Sequence, residues 1–228
     1  MKLTALDNDR IEAAVAEAEE GSRGEIVCVL AGEVSHYREI PLAWGAAAAL
    51  VVPPIAVLAG LHPLALASAG GAWTIGHASA LEDQLALGVG AYALAQGLLF
   101  VLVALLASIP AVRRVLTPGA LKAHRVRQAA QQQFAAISSR AVGSDTGILI
   151  FVALADRKVE LLADAAIHDK VGAGLWREAT AAIGTAMKSG DPTAGIVHAV
   201  KLCGDALRQH FPSEGPNVNV LTNRPLEL

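Results

Sequence analysis

A long stretch without basic residues constrains this chain more than any other feature of its sequence. Between Arg38 and Arg113 there is no lysine or arginine, and the only acidic residues are Glu39, Glu82 and Asp83. Charged residues make up 17% of the 228-residue chain, whereas an average soluble domain contains about 25%. Because the flanking sequences have ordinary polarity, the apolar excess belongs to this segment and not to an apolar core.

Two uncharged runs within this stretch are long enough to cross a membrane as helices. They cover residues 41–61 and 85–109, and about 20 apolar residues are needed to cross a hydrocarbon core about 30 Å thick. Pro53 and Pro54 should kink the first span, and Trp44 near its start suits the aromatic belt at the membrane surface. A buried helical hairpin of a soluble protein is the alternative, but a domain of this size would have difficulty burying two such runs.

Small residues in the second span would allow another helix to approach closely. Gly90, Ala93 and Gly97 have this property, and Gln96 is the strongly polar side chain of the span. In membranes, small residues and interhelical hydrogen bonds are what hold helices together. The sequence therefore predicts the lipid bilayer as one partner, and either another membrane protein or a second copy of the chain as the other.

Basic residues flank the two spans on one side. Arg38 precedes the first span, Arg113 and Arg114 follow the second, and the connecting loop 62–84 has no lysine or arginine. Because cytoplasmic flanks carry the excess of basic residues, we expect the loop to face outward and both termini to be cytoplasmic. Charged residues among the first 25 positions argue against a secretory signal. These features predict a bacterial inner-membrane protein whose soluble part lies in the cytoplasm.

The sequence outside the spans alternates between helical and strand patterns. Residues 7–20 show apolar positions at helical spacing, and residues 25–31 and 147–154 are nearly continuous apolar runs typical of buried strands. After a turn at 154–158, the run 159–164 is expected to pair back as a β-hairpin. Further amphipathic helices are predicted at 119–139, at roughly 170–188 and after Pro192.

Neither soluble piece of the chain is large enough to bury its own strand. We therefore predict that residues 1–38 and 113–211 form one discontinuous cytosolic domain of the α/β class, an α/β/α sandwich in which helices cover both faces of a mixed sheet. The two-helix transmembrane hairpin is then an insertion within that domain. After Phe211 the chain has three prolines and no periodicity, so residues 212–228 are expected to be a flexible tail.

Charge, cysteine content and motifs exclude several classes of protein. The net charge is −3, and without a basic stripe a nucleic-acid partner is not expected. Cys28 and Cys203 lie in apolar segments, so we interpret them as buried thiols rather than as a disulfide or a metal pair. The sequence has no P-loop, HExxH, GxSxG or DxDxDG motif. We therefore expect no organic cofactor, and the sequence identifies no catalytic residue.

Three segments resemble the TPM domain family, which is named after a thylakoid lumen protein, a photosystem II assembly protein and a nematode acetylcholine-receptor modulator. They are SDTGILIFVALADRKVELLADAAI at 144–167, KSGDPTAGIVHAV at 188–200 and GEIVCVL at 24–30. The resemblance covers most of residues 5–31 and 119–211, and its motifs are specific in combination rather than singly. It implies an α/β/α sandwich anchored to a membrane.

The resemblance implies two different roles. Some members of the family are described as acid phosphatases or calcium binders, and others as auxiliary factors of membrane complexes. The better-known members carry the domain after a signal peptide and keep their anchor outside it. Here no signal peptide is expected, and the anchor lies inside the domain. Both departures weaken the transfer of a function outside the cytoplasm.

Three aspartates are candidates for a metal site. In the predicted hairpin, Gly147 lies opposite Asp164. Asp145 lies just beyond the same end, and Asp169 follows a few residues later. Carboxylate oxygens are the ligands that Ca²⁺ and Mg²⁺ prefer, and a bound metal would support phosphoester hydrolysis. The alternative is that Asp145 is a turn residue, Asp164 ends a strand and Asp169 caps a helix.

Two functions of different classes therefore remain open. The first is a non-enzymatic module that assists or modulates a membrane complex, and it is favoured by the lack of catalytic motifs and by the anchor inside the domain. The second is a divalent-metal-dependent phosphatase at the membrane surface that uses Asp145, Asp164 and Asp169. A channel or transporter is disfavoured, because two helices without ionisable residues form no pathway by themselves.

Overall fold

The chain divides into two compact units. One consists of residues 1–36 and 119–228, and the other of residues 37–118. The computed structural model describes residues 3–60, 79–138, 147–213 and 221–228, with the backbone alone at 79–85. The predicted outward-facing loop therefore lies largely outside the described residues.

The helices and strands follow the predicted order, with three additions. In chain order they are α1 (Ala5–Glu19), β1 (Glu25–Ala31), α2 (Glu39–Leu58), α3 (Ser79–Ser108), α4 (Pro110–Leu116), α5 (Gly119–Ser138), β2 (Gly147–Ala153), β3 (Lys158–Ala163), α6 (Ala165–Lys170), α7 (Ala173–Ser189), α8 (Pro192–His210) and β4 (Leu226–Glu227). The additions are α4, α6 and β4. None of them is longer than seven residues, which is too short to leave a clear periodic pattern.

The described strands form a mixed sheet in the order β3–β2–β1–β4. All of β1 pairs in parallel with β2, and Glu25 lies opposite Gly147. β2 and β3 form the predicted antiparallel hairpin, in which Ile148 lies opposite Ala163. β4 pairs in parallel with the other edge of β1. The α/β class and the mixed sheet expected from the sequence are therefore confirmed.

One face of this sheet, called here the closed face, is covered by α1, α6, α7 and α8. The helices begin with side-chain caps where the sequence supplies them. Thr4 and Asp7 form a capping box at α1, and at the start of α8 the Asp191 carboxylate accepts the Ala194 N–H at 3.0 Å. The buried side chains that the strands contribute to this face are Ile26, Cys28, Leu30, Ile148, Ile150 and Val152.

The opposite face, called here the open face, is packed against α5. Val126 and Ala130 of this helix are buried, whereas Phe134 and Ile137 are only partly buried. Successive strand residues point to opposite faces, so the continuous apolar runs of β1 and β2 are explained by cores on both sides. The strand side chains buried on the open face are Val27, Val29, Ala31, Leu149, Phe151 and Ala153.

The second unit is a hairpin of the two long apolar helices, α2 and α3, followed by α4. The helices approach closely at Gly45, where a side-chain Cβ would lie 3.0 Å from the carbonyl oxygen of Phe100. Trp44 donates its Nε1–H to the Leu116 carbonyl at 3.2 Å. No described atom lies within 4 Å of a Cβ placed on Gly90 or Gly97. The close contact within the hairpin is therefore made by Gly45 and not by these two glycines.

The surfaces of α2 and α3 are strongly apolar and largely unburied. Residues 39–58 have a mean hydropathy of 1.9 and residues 86–108 one of 2.2, and both helices are long enough to cross a membrane. Across 18 residues of the second helix, none is buried. A core helix of a soluble protein would instead bury one face.

The last described residues return to the sheet. The sequence pattern predicts a flexible tail at residues 212–228, whereas Leu226–Glu227 form β4 beside Val29 and Leu30. The Leu228 amide donates to the Leu30 carbonyl at 2.9 Å, and the Gly32 amide donates to the Leu228 carbonyl at 3.0 Å. The three prolines and the lack of periodicity indicated an irregular segment. A two-residue strand is too short to produce a recognisable sequence pattern.

Candidate functional site

A cavity of about 410 Å³ opens at the amino ends of β1 and β2, on the open face of the sheet. Two carboxylates, Glu25 and Asp164, lie along its lining. The remaining walls are mostly apolar, so the cavity combines an acidic part with a hydrophobic part. The large apolar residues that line it from the open face are Val27, Phe134, Ile137, Leu149 and Leu221.

Asp164 is held at this cavity by the end of the β-hairpin. Its Oδ2 accepts the Gly147 N–H at 2.6 Å, and its own N–H donates to the Gly147 carbonyl at 3.1 Å. The predicted opposition of Gly147 and Asp164 is thus confirmed. Asp164 also precedes α6, but its side chain makes no capping hydrogen bond to that helix. The carboxylate is therefore aimed at the start of β2.

Glu25 lines this cavity but is not among the site residues predicted from the sequence. It is 2% exposed, and its Oε2 accepts the Leu221 N–H at 3.3 Å. Glu25 lies opposite Gly147, which brings it to the same strand end as Asp164. The sequence feature that could have identified Glu25 as a site residue is a glutamate at the first position of an apolar strand. Its neighbourhood depends on the pairing of β1 with β2, which come from distant parts of the chain.

The structure describes one of the other two predicted aspartates, and it does not line the cavity. Asp145 lies outside the described residues, and Asp169 is exposed on α6 and does not line the cavity. Among the residues that the structure describes, no three His, Cys, Asp or Glu side chains form a group that could hold a metal ion. The site for Ca²⁺ or Mg²⁺ stays a prediction, for which Glu25 and Asp164 are the described carboxylates that line this cavity.

A further buried carboxyl group, that of Glu19, lies beside the start of β1. Glu19 is 5% exposed, and its Oε1 accepts the Ile26 N–H at 2.7 Å. Burial raises the pKa of Glu19 to about 7; the Ile26 hydrogen bond opposes this rise, and the nearby charge of Glu25 adds to it. The amino end of β1 therefore carries a carboxyl group that changes its charge near neutral pH.

The two thiols of the chain are poor candidates for catalysis. Cys28 on β1 and Cys203 on α8 both belong to the closed-face core. Burial raises the pKa of both thiols, so the nucleophilic thiolate form is suppressed. The chemistry available at the cavity is instead that of carboxylates, which bind cations or transfer protons.

Comparison with known proteins relates the chain to one family. Residues 102–206 match the sequence model of the TPM domain. The fold is similar to the NMR structure of the BA42 protein from the psychrophilic bacterium Bizionia argentinensis, with a TM-score of 0.54 and 17% sequence identity over 100% of this chain and 97% of that one. No curated protein sequence matches the chain.

The matched range begins inside α3 and ends in α8, so it excludes α1 and β1. Those two elements precede the apolar hairpin in the chain, yet β1 pairs with β2 in the interior of the sheet. The likeness to BA42 supports the fold alone, because the identity of the two sequences is low. The chain is therefore similar to the TPM domain over residues 102–206, and its fold is similar to that of BA42.

Proposed function

We propose that the protein is a membrane-anchored TPM module that acts as an auxiliary or modulating factor of a membrane protein complex. The observation that carries this proposal is the apolar surface of α2 and α3. Leu98, Leu102 and Leu105 of α3 are 63%, 56% and 65% exposed. An apolar surface of this extent, on helices long enough to span a bilayer, needs lipid or protein around it.

The place of the hairpin in the chain supports a modulating role. α2 follows β1, and α4 and α5 precede β2, while β1 and β2 are neighbours in the sheet. The chain thus leaves the sheet for the hairpin from one strand and returns to the adjacent strand. A partner that moved the ends of α2 and α4 would act on the two strands that form the centre of the domain.

The basic flanks supply the orientation of this proposal. Arg38 before α2, and Arg113 and Arg114 within α4, would face the cytoplasm together with the α/β domain. Ser68 would then lie outside and Ser189, which is exposed at the end of α7, would lie inside. The proposed location is the bacterial inner membrane.

A matched pair of cysteine variants tests the orientation. In intact spheroplasts, a membrane-impermeant maleimide should label Ser68→Cys but should label Ser189→Cys only after lysis. Cys28 and Cys203 provide an internal background, because both are buried. Labelling of both variants before lysis, or of Ser189→Cys alone, would overturn the proposed topology.

Site-specific photo-crosslinking tests the auxiliary role. A photoreactive residue at Leu98 or Leu105 should form a crosslink to one defined membrane protein, and exchange of the hairpin for an unrelated one should abolish that crosslink. The same residue at Ile183, which is fully buried in the closed-face core, is the control and should give none. Crosslinks to lipid alone at both exposed positions would contradict the proposal.

A second candidate function, metal-dependent phosphatase activity, is favoured by one observation. Glu25 and Asp164 line the same cavity, and a divalent cation held by carboxylates can activate water for phosphoester hydrolysis. In this case the substrate would be a phosphoester that enters from the membrane surface, and Ca²⁺ or Mg²⁺ would be the cofactor.

Paired variants test this second candidate. If the cavity hydrolyses phosphoesters, Asp164→Asn and Glu25→Gln should each lower Mg²⁺-dependent hydrolysis of p-nitrophenyl phosphate by about 100-fold, a typical loss for a positioned catalytic group. Asp205→Asn, which changes an exposed aspartate of α8, should have no effect. Equal residual activity in all three variants would attribute the activity to a contaminant and exclude the cavity.

A further inference from the structure

The outer edge of β1 is closed by short contacts rather than by a full strand. At its amino end, the Ile26 N–H is bound by the Glu19 carboxyl group. At its carboxyl end, Leu226–Leu228 run parallel to β1 and pair with Val29, Leu30 and Gly32. A strand edge left unpaired is a template for another extended chain, so these contacts occupy a potential binding edge. Leu226–Leu228 is called the strap below.

The strap is thinly packed. Leu226 and Leu228 are 37% and 59% exposed, and Glu227 between them is exposed as well. Just before the strap, Thr222 and Asn223 border a groove of about 600 Å³ that separates them from α1. Backbone hydrogen bonds therefore hold the strap with little help from burial, and a segment held in this way opens readily.

The side chain of Asn8 on α1 forms a hydrogen bond with the strap. Asn8 is 8% exposed, and its Nδ2 donates to the Glu227 Oε1 at 2.7 Å. A carboxylate only accepts hydrogen bonds, so it fixes the orientation of the Asn8 amide. The Asn8 Oδ1 is then left buried without a hydrogen-bond partner among the described residues. Such an atom costs free energy, and the resident strap cannot satisfy it.

A carboxamide at the position of Glu227 would satisfy both atoms of the Asn8 amide. Its oxygen would accept from Nδ2 in place of the carboxylate, and its NH₂ group would donate to Oδ1. An extended segment with glutamine at this position therefore fits the edge better than the chain's own strap does. The mismatch lies in one hydrogen bond, which corresponds to about a five- to tenfold difference in affinity.

We propose that the β1 edge is a docking site for an extended segment of a partner protein, which displaces the strap, pairs in parallel with β1 and places a glutamine side chain against Asn8. The partner's backbone would supply the hydrogen bonds that Leu228 now makes to Leu30 and Gly32. This is recognition by strand addition, in which the main chain gives affinity and one side chain gives specificity.

Fluorescent peptides with the sequence of residues 221–228 test the proposal on the full-length protein. The protein carries Leu228→Pro, which removes the N–H that donates to Leu30 and should release the strap. The native peptide should bind to this variant, and the peptide with Glu227→Gln should bind about five- to tenfold more tightly. A peptide with Leu228→Pro is the control and should bind at least tenfold more weakly than the native one.

Asn8→Leu in the protein separates recognition by Asn8 from the simple loss of a charge. The preference for the glutamine peptide should disappear in Asn8→Leu. A preference that survives this change, or equal binding of the two peptides to the protein with Asn8 intact, would overturn the proposal. Absence of peptide binding when hydrogen exchange shows that the Gly32 amide has lost its protection would also overturn it.

A second variant keeps the proposal testable if Leu228→Pro perturbs the fold. Glu227→Gln in the full-length chain should tighten the strap, because it satisfies the Asn8 Oδ1. Hydrogen exchange of the Gly32 and Leu228 amides should slow about five- to tenfold relative to the wild type. A gain in protection cannot arise from misfolding, and unchanged or faster exchange would contradict the assignment.

Discussion

The two faces of the sheet differ in how completely they are packed. Among the described residues, the buried cluster of the closed face has 22 members, whereas that of the open face has eight. The central strands supply both clusters, because their alternate residues point to opposite sides. The difference therefore comes from the helices, since α1, α6, α7 and α8 contribute to one face and α5 to the other.

This comparison shows where a site can exist in such a small domain. Val27 and Leu149 belong to the open-face core and also line the cavity with Glu25 and Asp164. An incompletely filled face leaves a cavity for a ligand, and binding sites are usually found in such cavities. The closed face has the larger buried cluster, so it should contribute more to the stability of the domain.

The largest expected effect comes from deleting matched isoleucine side chains on the two faces. Ile196 is fully buried on α8 of the closed face, so Ile196→Ala should lower the free energy of unfolding by about 3–4 kcal/mol. Ile137 borders the cavity on the open face, so Ile137→Ala should cost only about 1 kcal/mol. Urea denaturation of the detergent-solubilised protein measures both, and equal losses would show that the faces do not differ in packing.

Replacing small side chains with larger ones tests the same difference in packing between the two faces from the opposite direction. Ala199 is fully buried on α8, and Ala199→Leu should destabilise the protein by about 2–3 kcal/mol because a larger side chain would overpack its surroundings. Ser138 borders the cavity, so Ser138→Leu should change the stability by less than about 0.5 kcal/mol. A large loss for Ser138→Leu in the same denaturation assay would mean that the open face is as tightly filled as the closed one.

Local patterns in the sequence predicted the elements of this fold well. The apolar run 25–31 has the same bounds as the observed strand β1. The turn near Asp156 correctly predicted the hairpin register, in which Gly147 lies opposite Asp164. Helical periodicity after Pro192 located α8. Each of these signals lies within a few residues of the element it predicts.

The features that the sequence did not predict depend on contacts between distant segments. Glu25 lies at the cavity because β1 pairs with β2. The sequence pattern of either strand alone does not predict that pairing. The strap is too short to show a periodic pattern, and its conformation depends on pairing with the outer edge of β1. Asp169 was predicted at the site because it follows Asp164 closely, but it lies on α6, where it is exposed and does not line the cavity.

The smallest expected effect concerns Glu19, which lies where the two faces meet at the start of β1. The pKa of Glu19 is raised from 4.5 to about 7 by burial. Below pH 4.5 the carboxyl group is protonated in both the folded and the unfolded protein, so it contributes no pH dependence. As the pH rises from 4.5 to 7, the unfolded state loses this proton first, and the stability of the folded state decreases.

Glu19→Gln should remove this decrease, because glutamine can still accept the Ile26 N–H but carries no charge. At pH 8 the variant should be more stable than the wild type by about 1–2 kcal/mol, with allowance for partial screening by solvent, and at pH 4 the two should be equal. Glu17→Gln is the control on the same helix, because the Glu17 side chain is 68% exposed, and it should leave the pH dependence unchanged. Urea denaturation at both pH values measures the difference. A gain for Glu19→Gln of the same size at pH 4 and pH 8 would show that the gain does not come from removing a buried charge.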